Sequence, residues 1–352
     1  MSKFRIERAP APMWVRPLIP FIAIPVTFLL TSALVLAAGA NPLEAYYHFL
    51  ISPLSNSYSA IEVLVKSTPL LLTGAAVAFA FNAGYWNIGA EGQLYAGAIM
   101  ATFIGITLNN VSPFVGIPAM IVGGFVAGML WALVPALLKV KLNIDEVVTT
   151  LLLNSVVLFV TSFLLNGAWR DPISMWPQSP EIDPGTVFIK LIPRTRLHLG
   201  FLLALVVIVI EWFVLTRTSF GLKMRAIGYS REGARFAGIK VNRTMLTVAL
   251  VSGGIAGLAG AGEVAGIHFH LIDALSDGLG YSGIVIATLG GLNPFGVGLA
   301  ALFVGLIDTG AQSVSRALGV PVYLGDVVQS TLLLVTLSLF LLNNYRIRKV
   351  EA

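Results

Sequence analysis

Residues 67–138 read STPLLLTGAAVAFAFNAGYWNIGAEGQLYAGAIMATFIGITLNNVSPFVGIPAMIVGGFVAGMLWALVPALL and contain no lysine or arginine. Glu91 is the only acidic residue in this run. The hydrocarbon core of a bilayer is about 30 Å thick, so a helix needs roughly 20 apolar residues to cross it. Three such helices fit here, at about 61–81, 90–108 and 114–138. The run therefore predicts an all-α protein that spans a membrane several times.

The composition of the whole chain supports the same class of protein. Hydrophobic residues make up 57% and charged residues 11% of the sequence, whereas roughly 25% charge is usual in soluble globular proteins. This balance excludes a water-soluble enzyme, a disordered chain and a nucleic-acid-binding domain. The sequence has no cysteine, which excludes disulfides, thiolate metal sites and cysteine nucleophiles.

Apolar segments recur along the chain and number ten. They lie at about 17–40, 61–81, 90–108, 114–138, 146–166, 198–216, 244–266, 280–290, 296–311 and 325–343. Segment 17–40 is longer than the core of a secretory signal, so we expect it to remain as a helix. Segment 280–290 is too short to cross alone and is expected to be half of a broken or re-entrant helix. If it does not cross, eight crossings are the alternative.

Charged residues orient these segments. The most basic interval is 217–243, where Glu232 is the only acid, and lysine and arginine favour the cytoplasmic side. Ten crossings then place both termini in the cytoplasm. We expect one transmembrane domain over 1–352, divided into the parts that follow. These are a cytoplasmic N-terminal segment (1–16), a periplasmic loop (167–197), a cytoplasmic coupling loop (217–243) and a cytoplasmic tail (344–352).

Two patterns of small and polar residues stand out within the apolar segments. Residues 81–93 read FNAGYWNIGAEGQ, and three glycines in such a short stretch disfavour continuous helix. Glu91 within it either caps the following helix, where the dipole favours an anion, or contacts a polar solute. A second pattern repeats glycine near every third or fourth position. It comprises Gly253, Gly257, Gly260, Gly262 and Gly266, and it predicts close packing between helices.

Several residues are candidates for contact with a solute in the membrane. A carboxylate at membrane depth costs roughly 2.5–3.5 kcal/mol unless it faces a polar cavity or bonds to backbone, and aromatic rings can stack on a planar or sugar ring. The candidate pathway residues are Tyr85, Trp86, Asn87, Glu91, Phe269 and Asp308. His268 and His270 lie among acids at 263–277, but their spacing and the lack of thiolates argue against a metal site.

The coupling loop carries glycines and alanines that headgroup attraction alone would not require. Residues 221–239 read GLKMRAIGYSREGARFAGI, which favours a short helix that docks on a cytoplasmic partner. This segment resembles the coupling helix in permease subunits of ATP-binding-cassette (ABC) importers, in the branch for branched-chain amino acids, ribose-like sugars and nucleosides. Three other strings resemble signatures of that family: WNIGAEGQ at 86–93, DEVVTTLLLN at 145–154, and 280–296 with its GGLNPFG ending. Asp145 stands where the family usually has asparagine.

The resemblance extends from about Leu64 to Leu342 and is greatest to nucleoside and simple-sugar permeases. It implies three protein partners in the cell membrane of a bacterium: a cytoplasmic ABC ATPase, a second permease that is a paralogue of this chain, and an external solute-binding protein. The chain has no Gly-x-x-x-x-Gly-Lys-Ser/Thr loop, so ATP-Mg belongs to the ATPase and we expect no cofactor on this chain. The implied coupling residues are Gly221, Arg225, Ala226, Gly228, Ala234, Arg235, Ala237 and Gly238.

A different class of transporter remains as the alternative. An ion-coupled secondary transporter would use Glu91, Glu263 or Asp308 as a titrating carboxylate, and broken helices suit that class as well. No plausible pair of nucleophile and base can be placed together at membrane depth, so we expect a transport protein rather than an enzyme.

Overall fold

The computed structural model describes residues 3–8 and 19–350. Within that part of the chain lie thirteen α-helices and two short strands. The helices are α1 (Ile19–Ala37), α2 (Pro42–Leu50), α3 (Ser57–Asn82), α4 (Ala90–Thr107), α5 (Pro113–Leu142), α6 (Glu146–Asn166), α7 (Leu199–Arg217), α8 (Ser219–Tyr229), α9 (Arg231–Phe236), α10 (Val241–Glu263), α11 (Leu279–Leu289), α12 (Pro294–Leu318) and α13 (Leu324–Asn344). Strands β1 (Lys3–Arg8) and β2 (Tyr345–Val350) pair antiparallel. The rest of the predicted N-terminal segment and the last two residues of the predicted tail lie outside the described residues.

The helices confirm the all-α, multi-pass membrane fold, with the β1–β2 pair as the exception. Each of the ten predicted segments coincides with one of these helices. Among the residues that the structure describes, six helices are long and apolar enough to cross a membrane: α3, α5, α6, α7, α10 with the π turn that follows it, and α12. Helices α1 and α2 meet at a bend of 120° and would add a seventh span if they cross together. Ten crossings stay a prediction.

The helix bundle has two distinct ends. At the end that we call the basic end, α9 reaches the turn after α3 through a hydrogen bond from Arg231 to the carbonyl of Gly84, 2.8 Å long. At the opposite end, which we call the loop end, residues 167–197 lie on the segment that follows α10. There the amide of Ser179 donates to the carbonyl of Leu271 at 2.9 Å, and that of Ile182 donates to the carbonyl of Phe269 at 3.1 Å.

The segment at 280–290 forms a short apolar helix, as expected for half of a broken or re-entrant helix. Helix α11 has 11 residues and is therefore about 16 Å long, half the bilayer core. Before it, an irregular stretch descends from Phe269 at the loop end, and the Tyr95 hydroxyl donates to the carbonyl of Asp273 at 2.7 Å. After it, the Asn82 amide donates to the carbonyl of Leu292 at 2.9 Å, at the basic end.

Helix α10 packs against α4 and α5 through its glycines, which confirms the predicted close packing. A Cβ atom at Gly257 would lie closer than 3.0 Å to the carbonyl of Gly124, and one at Gly260 would lie equally close to the carbonyl of Leu94. Gly262 differs, because a Cβ there would meet nothing within 4 Å. The backbones of α10, α4 and α5 therefore approach each other at distances that only glycine permits.

Candidate solute pathway and coupling site

The α3–α4 turn (residues 83–89) interrupts the two helices as the sequence predicts. Gly84 adopts a positive φ of 67°, which glycine tolerates without strain. The buried Asn87 amide donates to Gln93 and to the Ser252 hydroxyl, both at 2.8 Å, and its oxygen accepts from the amide of Gly89 at 3.0 Å. Asparagine therefore satisfies unwound backbone in the interior of the bundle.

Glu91 lies in the first turn of α4, but the helix whose amino end it caps is α11. Its side chain is almost fully buried, with 4% exposed. One carboxylate oxygen accepts from the amide of Gly280 at 2.7 Å and the other from the amide of Gly278 at 3.3 Å. Both oxygens face the amino end of α11, where the helix dipole favours a negative charge. A solute could contact Glu91 only if α11 moved away from it.

The other candidate pathway residues do not gather at one point. Tyr85 is buried beneath α8, whereas Trp86 is half exposed at the basic end and packs against Phe81 with ring centroids 4.6 Å apart. Phe269 lies at the loop end in a left-handed backbone conformation, with φ of 61°. Asp308 on α12 accepts a hydrogen bond from Gln329 on α13. The six residues are distributed along the bundle from the basic end to the loop end. Their contact with a solute stays a prediction.

Asn154 on α6 is a structural residue that reasoning about chemistry missed. Its amide donates to the carbonyl of Ile88 at 3.0 Å and to the Tyr281 hydroxyl at 3.1 Å, and its oxygen accepts from the amide of Gly92 at 2.9 Å. The side chain thereby joins α6 to the α3–α4 turn and to α11. Its position at the end of the string 145–154 was the only signal in the sequence.

Two further carboxylates, which the sequence analysis did not list as candidates, are buried inside the bundle. Glu211 on α7 is buried, and neither of its oxygens has a hydrogen-bond partner within the described part of the chain. Glu146 at the start of α6 forms a salt bridge with Lys139 at 2.5 Å. The acids and histidines at 263–277 form no metal cluster: among residues 22–336, no three His, Cys, Asp or Glu side chains are grouped so that they could hold a metal ion.

The coupling loop forms two short helices, α8 and α9, which confirms a helical segment there. Some of its small residues pack on this chain itself: a Cβ at Gly221 would be closer than 3.0 Å to the carbonyl of Val214, and one at Gly228 to the carbonyl of Asn82. Ala234 is buried and Ala226 half-buried. These contacts fix α8 and α9 against the ends of the membrane helices.

The opposite side of the coupling loop is exposed with respect to the described part of the chain. Arg225, Arg235, Ala237 and Gly238 are exposed. Large apolar side chains accompany them: Tyr229 is 92% and Phe236 97% exposed. We define the docking surface by its five large residues, which are Leu222, Arg225, Tyr229, Arg235 and Phe236. Exposed aromatic and arginine residues of this kind are typical of protein interfaces.

Comparison with known proteins identifies the class to which this architecture belongs. Residues 59–337 match the family model described as branched-chain amino acid transport system / permease component. The chain belongs to this family. As a permease component of an ABC transporter it is a transport subunit rather than an enzyme, which confirms that expectation and favours it over an ion-coupled secondary transporter.

Individual relatives cover almost the whole chain. The guanosine ABC transporter permease protein NupP of Bacillus subtilis is 32% identical over 95% of this chain and 95% of its own length. The glucose ABC transporter permease protein TsgB13 of Haloferax volcanii is 33% identical over 97% and 92%. A second Bacillus subtilis protein, the guanosine ABC transporter permease protein NupQ, is 28% identical over 72% of this chain and 80% of its own. No solved structure matches the chain.

Proposed function

We propose that this chain is one of two permease subunits of an ABC importer that takes up a nucleoside or a simple sugar. A cytoplasmic ATPase would bind the docking surface, and an external binding protein would deliver the solute at the loop end. ATP binding and hydrolysis on the ATPase would then switch the side of the membrane to which the pathway is open. ATP-Mg belongs to that partner, and the chain itself would bind no cofactor.

The docking surface is the observation that carries this proposal. It exposes aromatic and arginine side chains at the basic end, while the reverse side of α8 packs on the end of α3. A partner that moved the coupling loop would therefore move the ends of membrane helices directly. The positive charge of the loop favours the cytoplasmic side for this end, where ATP is available.

The relatives support the remaining parts of the proposal. Their names specify guanosine and glucose as solutes, so we infer a nucleoside or simple sugar for this chain. Bacillus subtilis contributes both NupP and NupQ, and NupP is the more similar of the two over a longer part of this chain. We infer that the second permease is a paralogue of this chain rather than a second copy.

The orientation of the coupling loop can be tested by thiol labelling, because the chain contains no cysteine. We expect the Ile173→Cys variant to react with a membrane-impermeant maleimide in intact cells, since Ile173 is 91% exposed in the loop 167–197. The Tyr229→Cys variant should react only after the cells are opened. Labelling of Tyr229→Cys in intact cells would contradict a cytoplasmic coupling loop.

Uptake by the complete transporter tests the energy source and the docking surface. The chain, its ATPase, its second permease and its binding protein are reconstituted in liposomes with radiolabelled guanosine, uridine, ribose and glucose. We expect uptake of at least one of these solutes that requires ATP and persists when ionophores collapse ion gradients. Arg225→Glu and Arg235→Glu should each lower uptake and ATPase retention several-fold. An ATPase surface complementary to these arginines is acidic, and it would repel the introduced carboxylates.

Lys141→Glu is the matched control for these charge reversals. Lys141 is also basic and exposed near the basic end, but it lies outside the coupling loop. Its reversal should leave ATPase retention unchanged. Uptake that continues without ATP would contradict the proposed function, and equal retention of the ATPase by all three variants would contradict docking at α8 and α9. Gly228 is unsuitable for this test, because a side chain there would strain the contact with Asn82 inside the chain.

A further inference from the structure

Glu146 lies where three parts of the basic end meet. It is the first residue of α6, and only 3% of its side chain is exposed. One carboxylate oxygen forms the salt bridge with Lys139 in the last turn of α5, 2.5 Å long. The other oxygen faces a guanidinium nitrogen of Arg231 in α9 at 3.7 Å and the backbone amide of Trp86 at 3.5 Å. A buried carboxylate requires such partners, because an unpaired charge is costly to bury.

The two oxygens of Glu146 are held differently. Lys139 forms a close, charge-assisted contact with its oxygen. Arg231 and the Trp86 amide share the other oxygen at long distances, and Arg231 also donates to the carbonyl of Gly84 at 2.8 Å. Arg231 is half-buried, so its side chain bridges the coupling loop and the α3–α4 turn. The strong contact anchors Glu146 to α5, whereas the long contacts can tighten or open when α9 moves.

The α3–α4 turn continues from these contacts into the interior of the bundle. Asn87 holds its backbone against Ser252 of α10, and Asn154 of α6 holds the carbonyl of Ile88. The turn ends at α4, where Glu91 accepts from the amides that begin α11. Hydrogen bonds and ion pairs, joined by the backbone of the α3–α4 turn, thus connect Arg231 to α11.

We propose that Glu146 is a positioning residue that couples the Arg231 side chain of α9 to the α3–α4 turn, so that movement of the coupling loop is transmitted to α11. This inference rests on the proposed function, because it requires an ATPase that moves α9. It concerns a contact inside this chain rather than the docking surface. Loss of the contact should therefore leave the ATPase bound but separate its hydrolysis from uptake.

A double-mutant cycle in the complete reconstituted transporter tests the pair. Glu146→Gln, Arg231→Gln and the double variant are compared by solute taken up per ATP hydrolysed, with radiolabelled guanosine and glucose as probes. We expect each single change to lower this ratio by between about twofold and thirtyfold, the range of measured couplings. The double change should lower the ratio by less than the product of the two single losses, because either single change already removes the contact between Glu146 and Arg231. Arg231→Lys should recover part of the ratio, because it keeps the charge.

A second measurement needs no transported solute. A Trp86→Cys variant carries the only thiol of this chain, at a side chain that is 53% exposed. Trapping the ATPase with ATP and vanadate should change the rate at which maleimide labels that thiol. We expect the change to disappear when Arg231→Gln is added, which alters a half-buried side chain and leaves the Lys139 salt bridge in place. Adding Asp145→Asn should preserve it, because Asp145 is the exposed neighbour of Glu146 and asparagine also caps helices well.

The outcomes separate this inference from the proposed function. Multiplied losses in the double variant, or a labelling change that persists with Arg231→Gln, would overturn the role of the pair even if uptake depends on ATP. Loss of ATPase retention by Glu146→Gln or Arg231→Gln would overturn it as well. An unaltered transporter that takes up solute without ATP would instead overturn the proposed function.

Discussion

Replacing Gly260 with alanine should destabilise the protein more than any other single methyl group added to α10. A Cβ there would lie closer than 3.0 Å to the carbonyl of Leu94 and to the amide of Ala98, and both are backbone atoms that cannot rotate away. Helices α10 and α4 would have to separate. Overpacking of this kind costs about 1–3 kcal/mol, occasionally more, and we expect the upper end of that range. The measurement is the free energy of unfolding in detergent.

Gly262→Ala is the matched control on the same helix. A Cβ at Gly262 meets nothing within 4 Å, and alanine favours a helix over glycine by up to about 1 kcal/mol. The two substitutions add the same methyl group two positions apart and should change stability in opposite directions. Equal effects would show that α4 and α10 are not in backbone contact at Gly260.

Replacing Glu91 with alanine should produce the largest loss of uptake among changes in the α3–α4 region. The amides of Gly278 and Gly280 would lose their acceptor at the buried start of α11, and each unsatisfied buried group costs about 1–3 kcal/mol. Every 1.4 kcal/mol is a factor of ten in an equilibrium. We therefore expect uptake by the reconstituted transporter to fall about tenfold or more at unchanged amounts of protein in the membrane.

Glu91→Gln distinguishes the capping role from a requirement for charge. Glutamine keeps one oxygen acceptor in nearly the same volume, so most of the uptake should survive if Glu91 acts by holding α11. Chymotrypsin digestion of the two variants gives an independent measure, because a freed α11 would expose Leu279 and Tyr281 and should be cleaved faster only in Glu91→Ala. Full uptake by Glu91→Ala would contradict the importance of this cap.

The helices could be predicted because their signal is local. An apolar segment of about 20 residues reveals a span without reference to its neighbours, and Asp145 shows an N-cap in the same local manner, accepting from the amide of Val147 at 2.7 Å. The sequence also shows that residues 83–89 are unwound. The 120° bend between α1 and α2 was missed because the break at 38–41 lies between two segments that are each apolar or amphipathic.

The partners of the polar residues could not be predicted, because they are distant in the sequence. The sequence predicts that Glu91 either caps α4 or contacts a solute. Nothing near Glu91 in the sequence indicates that the amino end of α11 lies against it. Glu146 appeared only as part of a family signature, since its contacts with Arg231 and Trp86 depend on how the helices pack. The resemblance implies a coupling role for Gly221 and Gly228, whereas both glycines pack against the backbone of this chain.

The attachment of α11 at both of its ends constrains how the protein can open and close. Glu91 in α4 accepts a hydrogen bond from the first turn of α11, and Asn82 in α3 donates one to the loop just beyond its end. Both ends of α11 are therefore attached to the α3–α4 hairpin. The half-helix cannot swing out by itself. On its other side, Ser282 of α11 donates to Gln329 of α13, which in turn donates to Asp308 of α12. We expect the boundary that slides during transport to lie on this side of α11.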